Sequence, residues 1–447
     1  MSQNTPTKTS AKTPAEKSMG LGLRWLNNLA SSSTIDKLKL RKSTEKALFH
    51  GSKNGFKVAA AAGRQFSAKS KQDKPARQPK ADGVGKFDLT PDDEQEMLIE
   101  AFGDFAQSEL LPIATKSSND CITPPEVLKA STELGVTMIG VPEELGGAVE
   151  QRSAVTSVLI SEVLAKGDLG MAVAVLAPAA VSTAIGLWGD ADQQSTYLPE
   201  FVGEDVPAAA LAVMEPTPMF DPFKLQTRAT KDADGGYTLN GVKSLVPRAG
   251  EAELFVIAAE LDGAPRMFIV ESRYEGISVT PEPAMGIRPA ATGTLSFEGT
   301  KLPKGALLGE PADYTEMIRL SRIAWGAVTA GCGRAVQDYL IPYVNERKAF
   351  GEPIAYRQAV AFTISNVAIE LEGIRLATYR AAALADAGKD FARESALVRQ
   401  LTQKYGMQIG SDGVQMLGGH GYTQEYPVER WYRDLRAAGL MEGVLLV

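Results

Sequence analysis

One carboxylate is marked by its surroundings. Glu442 sits between Met441 and Gly443, after a glycine-dense run holding Gln415, Gly418, Gly419, Gly421 and Tyr422, and after Glu425-Tyr426-Pro427-Val428-Glu429-Arg430. Glycines this dense let a backbone approach a bulky ligand, because no Cβ intervenes. Pro427 breaks the chain direction, and a short charged helix can restart behind it. A carboxylate screened from water has its neutral form favoured by desolvation and so becomes a stronger base. Taken alone, Glu442 reads first as a solvated side chain near the end of the sequence, and only the order of the elements around it argues otherwise. Other chemistry is thinly supplied. The two histidines, His50 and His420, are distant from each other and from the two cysteines, Cys121 and Cys332. That spacing excludes a His/Cys metal cluster, and a Ser-His-Asp triad would have to be built on one of those two histidines. The reactive group is therefore expected to be a cofactor.

The elements that must position these residues follow from composition and periodicity. At 447 residues, with 44% hydrophobic and 23% charged, the chain is expected to form two or three globular domains. No run approaches the roughly 18 consecutive apolar residues of a membrane span. Two cysteines so far apart in sequence indicate a reducing compartment and no disulfide framework. Charge is uneven. Residues 1–80 hold 17 Lys and Arg against 4 Asp and Glu, a net of +13, so the remainder carries −20 of the overall −7.

Residues 1–87 form a basic extension in which Trp25, Leu23, Leu26 and Leu29 fall at helical spacing among lysines. Three readings stay open for it: a solvated extension, an interfacial helix on an anionic membrane surface (residues 1–85), and an organelle transit peptide. No motif supports nucleic-acid binding. The location expected is cytoplasmic, leaning on membrane through this arm, or the mitochondrial matrix if the arm is a transit peptide.

In 88–205 the pattern is helical. Thr90-Pro91-Asp92-Asp93 reads as a helix start with Thr90 as cap, and Pro124-Pro125 opens a second helix. Two Ala/Val/Leu-rich helices are expected at about 151–166 and 169–188. From 206 to 310, β-branched and aromatic runs alternate with turns, at 225–231, 237–245, 254–261, 266–270, 276–279 and 294–297. Asp234-Gly235-Gly236 marks a hairpin. From 311 to 447 helical periodicity returns over 311–345, 355–388 and 391–417, with the short connections of an antiparallel bundle. The fold class is mainly α with a small central β domain.

The string Gln415, Gly418, Gly419, Gly421, Tyr422, Glu425 to Arg430, Arg433, Asp434, Glu442, Gly443 resembles the C-terminal signature of the FAD-dependent acyl-CoA dehydrogenases. Further matches are Gly140 to Gly147, Tyr197-Leu198-Pro199, Tyr237 to Lys243, and Glu346-Arg347-Lys348-Ala349-Phe350-Gly351. The resemblance covers residues 88–447 and implies an N-terminal helical domain, a middle β domain and a C-terminal four-helix bundle. It implies FAD as cofactor, an acyl-CoA thioester as substrate, an electron-transfer flavoprotein as acceptor, and a homodimer or homotetramer.

By motif position Glu442 is the base that removes the α-proton while the flavin accepts the β-hydride. The family's alternative base slot is Ser321 here, beside Arg322, which falls at the position of an arginine near the substrate. Arg322 reads as well as a bundle arginine paired with a carboxylate. Arg347 falls where the family's arginine reaches the FAD pyrophosphate of a neighbouring subunit, Phe350 and Gln358 at flavin-proximal positions, and Gln415, Gly418 and Gly419 where backbone approaches the adenosine-diphosphate half. Two motifs depart. The family's T-E-P-x-A-G-S-D is Met214-Glu215-Pro216-Thr217-Pro218-Met219-Phe220-Asp221, and its W-I-T-N is Leu245-Val246-Pro247-Arg248. A catalytically silent acyl-CoA-binding or membrane-tethered module is therefore the alternative, with an oxygen-reducing oxidase as a third reading.

Overall fold

The computed structural model describes residues 90–147, 152–203 and 205–447. The basic arm, with its membrane and transit-peptide readings, lies outside the described residues. Helices α1 (Asp93–Phe105), α2 (Ala114–Asp120), α3 (Pro125–Glu133), α4 (Ala154–Gly167), α5 (Leu169–Trp188) and α6 (Ala191–Tyr197) come first. The cap of α1 is Asp92, in place of the expected Thr90. Its carboxylate accepts from Gln95 N at 2.8 Å while Gln95 Oε1 accepts from Asp92 N, a reciprocal arrangement that Thr90 lies too early to make.

The expectation that no stretch is apolar enough to span a membrane needs correction. Helix α5 has 20 residues and a mean hydropathy of 1.9 over its most apolar window, long and apolar enough to cross one. In this structure 94% of that window is buried within the protein, so its apolar surface is covered by other helices and the sheet.

Strands β1 (Ala209–Ala212), β2 (Arg228–Lys231), β3 (Tyr237–Val246), β4 (Leu254–Leu261), β5 (Ala264–Glu271), β6 (Ile277–Pro281), β7 (Gly293–Leu302) and β8 (Leu307–Leu308) make one sheet in the order β6-β7-β3-β2-β4-β5-β8, with β1 parallel to β4. The Asp234-Gly235-Gly236 turn joins antiparallel β2 and β3 as expected, with Gly235 at φ +90°. Strand β2 starts three residues later than the run at 225–231 suggests, because Gln226 and Thr227 give their N–H groups to the Glu215 carboxylate. Strand β1, Ala-Ala-Leu-Ala, carries no β-branched residue and is a strand through its pairing with β4.

Helices α7 (Pro311–Glu346), α8 (Gln358–Asp386), α9 (Ala392–Leu401), α10 (Met407–Leu417) and α11 (Val428–Ala438) complete the chain, with a small hairpin, β9 (Lys348–Ala349) and β10 (Glu352–Pro353), between α7 and α8. The expected helix over 391–417 is α9 and α10 joined by a wider π-helical turn at Thr402–Gly406. One large core runs through both sets of helices and the adjoining face of the sheet, and a smaller core lies on the sheet's other face.

Candidate active site

Helix α7 is buried along most of its length and presents Tyr314, Ser321, Arg322 and Trp325 towards the last seven residues of the chain. Those residues, 441–447, are all buried, and Glu442 is 4% exposed. The solvated reading of Glu442 is thereby overturned: Ser321 Oγ and Trp325 Nε1 both donate to Gly443 O, at 2.7 and 2.8 Å, and draw the segment inward. Gly443 must be glycine, since its φ is +71° and a Cβ there would lie 2.3 Å from the Val213 side chain. The next residue, Val444, has φ +76° and Leu445 N donates back to Gly443 O at 3.0 Å, a three-residue γ-turn. A β-branched residue in that conformation is strained, and such strain persists where the surroundings over-determine it.

Two arginines meet the Glu442 carboxylate. Arg322 donates from Nη2 to Oε1 at 2.9 Å and from Nε to Oε2 at 3.0 Å, a forked pairing. Arg399, on α9, donates from Nε to Oε1 at 2.8 Å and from Nη1 to Gly439 O at 2.7 Å, tying the loop before Glu442 to the helix. Burial pushes the Arg399 guanidinium below its ordinary pKa; Glu442 opposes this and Arg322 adds to it. The structure thus brings Glu442 and Arg322 together, as a direct ion pair. Arg399 was missed, because nothing in its local sequence separates it from other helix arginines. Of the two carboxylate oxygens, Oε1 receives both guanidinium groups and Oε2 receives chiefly one, so Oε2 keeps a lone pair for a proton.

Tyr314 closes the other side. Its hydroxyl donates to Pro222 O at 2.6 Å, and burial holds it protonated well above the usual range, reinforced by Glu215, Glu442 and Asp221 and opposed by Arg322. Glu215 and Lys243 form a buried pair at 2.9 Å. Burial lowers the Lys243 pKa to about 8, against the pull of Glu215. For Glu215, burial raises the pKa but Lys243 and the N–H groups of Gln226 and Thr227 outweigh it, and the net shift is downward. Met214 is buried, Phe220 packs half-buried against the core, and Met219, at φ +55°, is 99% exposed. In 245–248, Leu245 N already donates to Glu282, Arg248 N to Ala290 O, and Pro247 has no N–H.

The remaining candidates lie at the other end of the bundle. Arg347 follows α7, and its exposed guanidinium makes no hydrogen bond or ion pair among the described residues. Phe350 and Gly351 turn the β9–β10 hairpin, both at positive φ, leaving the Phe350 ring 96% exposed with the Arg357 guanidinium 5.8 Å from its centre. Gln358 is the exposed first residue of α8. Gln415, Gly418 and Gly419 are exposed at the end of α10, and a Cβ at either glycine would meet nothing within 4 Å. Tyr343 near the end of α7 reaches His420 at 3.4 Å, so α7 and the glycine turn share one end of the bundle. This end, with open backbone and an unpartnered guanidinium, fits a pyrophosphate.

Comparison with known proteins accords with this layout. Models of the acyl-CoA dehydrogenase N-terminal, middle and C-terminal domains match residues 92–205, 210–300 and 313–445. The short/branched chain specific acyl-CoA dehydrogenase, mitochondrial, of Bos taurus is 32% identical over 362 residues, 78% of this chain and 83% of that protein. Butyryl-CoA dehydrogenase from Megasphaera elsdenii superposes with a TM-score of 0.73 at 29% identity, over 80% of this chain and 96% of that one. A chain in the structure of the electron transferring flavoprotein of Acidaminococcus fermentans gives 0.73 at 28%, over 80% and 96%. With one family's three domain models laid in order along the described residues, and a bovine relative matched over most of both chains, this chain belongs to the acyl-CoA dehydrogenase family.

Proposed function

We propose that the protein dehydrogenates a short-chain acyl-CoA thioester between Cα and Cβ, with Glu442 taking the α-proton. The observation that carries this reading is a buried carboxylate facing the bundle helix, fixed by Arg322 and Arg399. FAD is the cofactor and, when bound, accepts the β-hydride. Arg347, Gln415 and the open backbone at Gly418 and Gly419 would hold its adenosine-diphosphate half, with Phe350 and Gln358 beside them. Arg322 orients the Glu442 carboxylate, Arg399 ties down the loop that carries it, and Oε2 accepts the proton. Buried Tyr314 and the apolar residues 444–447 exclude water from that oxygen. Short acyl chains are the substrates named for the bovine and Megasphaera relatives, and an electron-transfer flavoprotein is the acceptor proposed.

A second copy of the chain completes the site. Phe362, Ile369 and Leu376 stand exposed at seven-residue spacing on α8, continuing from exposed Tyr356 and Phe350. This stripe and the unpartnered Arg347 suit a homodimer or homotetramer, which sedimentation measures directly. The basic arm is proposed to lean on anionic membrane within a cytoplasmic setting, and liposome co-sedimentation tests it.

The deciding experiment is the visible spectrum of the purified protein. A flavin band that bleaches anaerobically with butyryl-CoA supports dehydrogenation; a protein that stays colourless with added FAD ends this reading. The catalytically silent reading also has an observation in its favour, since both Glu442 oxygens are engaged by guanidinium groups. Flavin that binds but never bleaches with any acyl-CoA would select it.

A further inference from the structure

A cavity of about 500 Å³ lies away from Glu442, between the end of α2 and the sheet. Its lining includes Cys121, Arg248, Val279, Pro281, Arg288 and Ala291. This volume falls in the range of small-molecule sites. Three of the lining residues, Cys121, Arg248 and Ala291, hold left-handed backbone at φ 57°, 47° and 47°, and Ile287 beside Arg288 is at 50°. Non-glycine residues rarely adopt this conformation, and it gathers at ligand clamps.

The two arginines differ. Arg248 is largely buried, 13% exposed, and is neutralised at 2.9 Å by Glu251, which lines the cavity beside it. Arg288 makes no side-chain hydrogen bond or ion pair among the described residues, and its Nε is buried without a partner. A buried guanidinium N–H without an acceptor is costly, and an anion in the cavity would supply the missing charge. Val279, Pro281 and Ala291 make the rest of the wall apolar. Arg248 also borders a second cavity of about 370 Å³ on the α3 side, where Lys129, paired with Glu133, and Asp205 balance each other, so the unpaired cation is Arg288 alone of these.

We propose that this cavity binds a small amphipathic organic anion, its carboxylate on the guanidinium of Arg288 and its short aliphatic body against Val279, Pro281 and Ala291. The site is independent of the dehydrogenase reading. The test is calorimetric titration of the full-length, flavin-loaded protein with hexanoate, with 1-hexanol and inorganic phosphate as the uncharged and non-apolar arms. Saturable binding of hexanoate alone is expected, one per chain, weakened at least about tenfold in Arg288→Gln. Val279→Trp, on a strand edge where a large ring is tolerated, should fill the cavity and abolish binding with Arg288 still in place. Phosphate binding as well as hexanoate would overturn the amphipathic assignment. Unchanged affinity in both variants, or displacement of hexanoate by butyryl-CoA, would overturn the site.

Discussion

Two buried charge clusters, one on Glu442 and one around Arg430 of α11, are built in opposite proportion. At Glu442 one carboxylate meets two guanidinium groups, and the arginine side chains keep 19% and 18% of their surface exposed. At Asp168, Asp434 and Arg430 two carboxylates lie in the field of one buried guanidinium that pairs directly with Asp168, none more than 4% exposed. Asp168 caps α5 through Met171 N, Asp434 accepts from Ile287 N at the edge of the sheet, and Arg430 lies 3.2 Å from Asp168. That second cluster ties the first helices, the sheet and α11 together. Burial pushes the Asp434 carboxyl up to about 7, with Asp168 adding to it and the Ile287 N–H, Arg430 and Arg433 opposing. Burial likewise raises Asp168, with Arg430 as the main opposing charge. A surplus of cation at a partly open site suits chemistry on an anion-forming substrate, and a surplus of acid in a sealed joint suits assembly.

The comparison can be broken at several points. Glu442→Gln should retain flavin yet lose bleaching by about 10²–10⁴-fold in stopped-flow absorbance, with little change in Tm; bleaching at the normal rate would strip Glu442 of its role. Arg430→Met leaves buried Asp168 without its ion-pair partner and should cost on the order of 3–5 kcal/mol in urea unfolding. A loss under about 1 kcal/mol would mean that the joint carries no such strain.

Asp434→Asn tests the acid surplus through pH. The folded pKa is raised above the unfolded value, so the folded protein holds the proton longer, and stability falls as pH rises from about 4 to about 7. The variant should flatten that decline, on the order of 2–4 kcal/mol over the window. Parallel stability curves for the two proteins would show that Asp434 titrates normally. The smallest effect is expected at Arg399→Gln: a bleaching rate lower by about tenfold with butyryl-CoA affinity kept, partly restored by millimolar guanidinium. A change confined to affinity would place Arg399 on the substrate instead.

Much of the fold was legible because its causes are local. The helix runs in 311–417, the Asp234-Gly235-Gly236 turn and the glycine string before Glu442 follow from periodicity and from backbone that only glycine enters easily. Strand β1 was not legible, because Ala209 to Ala212 gain their conformation from β4. Helix α5 could not be told from a membrane span by composition, since its apolar surface is the same in either setting and the surrounding helices and sheet cover it here.

At the site, the residue types and order singled out Glu442, Arg322 and the separate group at Arg347, Phe350, Gln358, Gln415, Gly418 and Gly419 as candidates, and the structure joins only the first two in an ion pair. Whether Glu442 faced water or the interior was decided by Ser321 and Trp325 gripping Gly443 O across about 120 residues of chain. The arrival of Arg399 on the same carboxylate, and the meeting of Asp168 with Arg430, were likewise decided by packing. Charges far apart in sequence find each other only when burial removes water as the competing partner, and burial is a property of the folded whole.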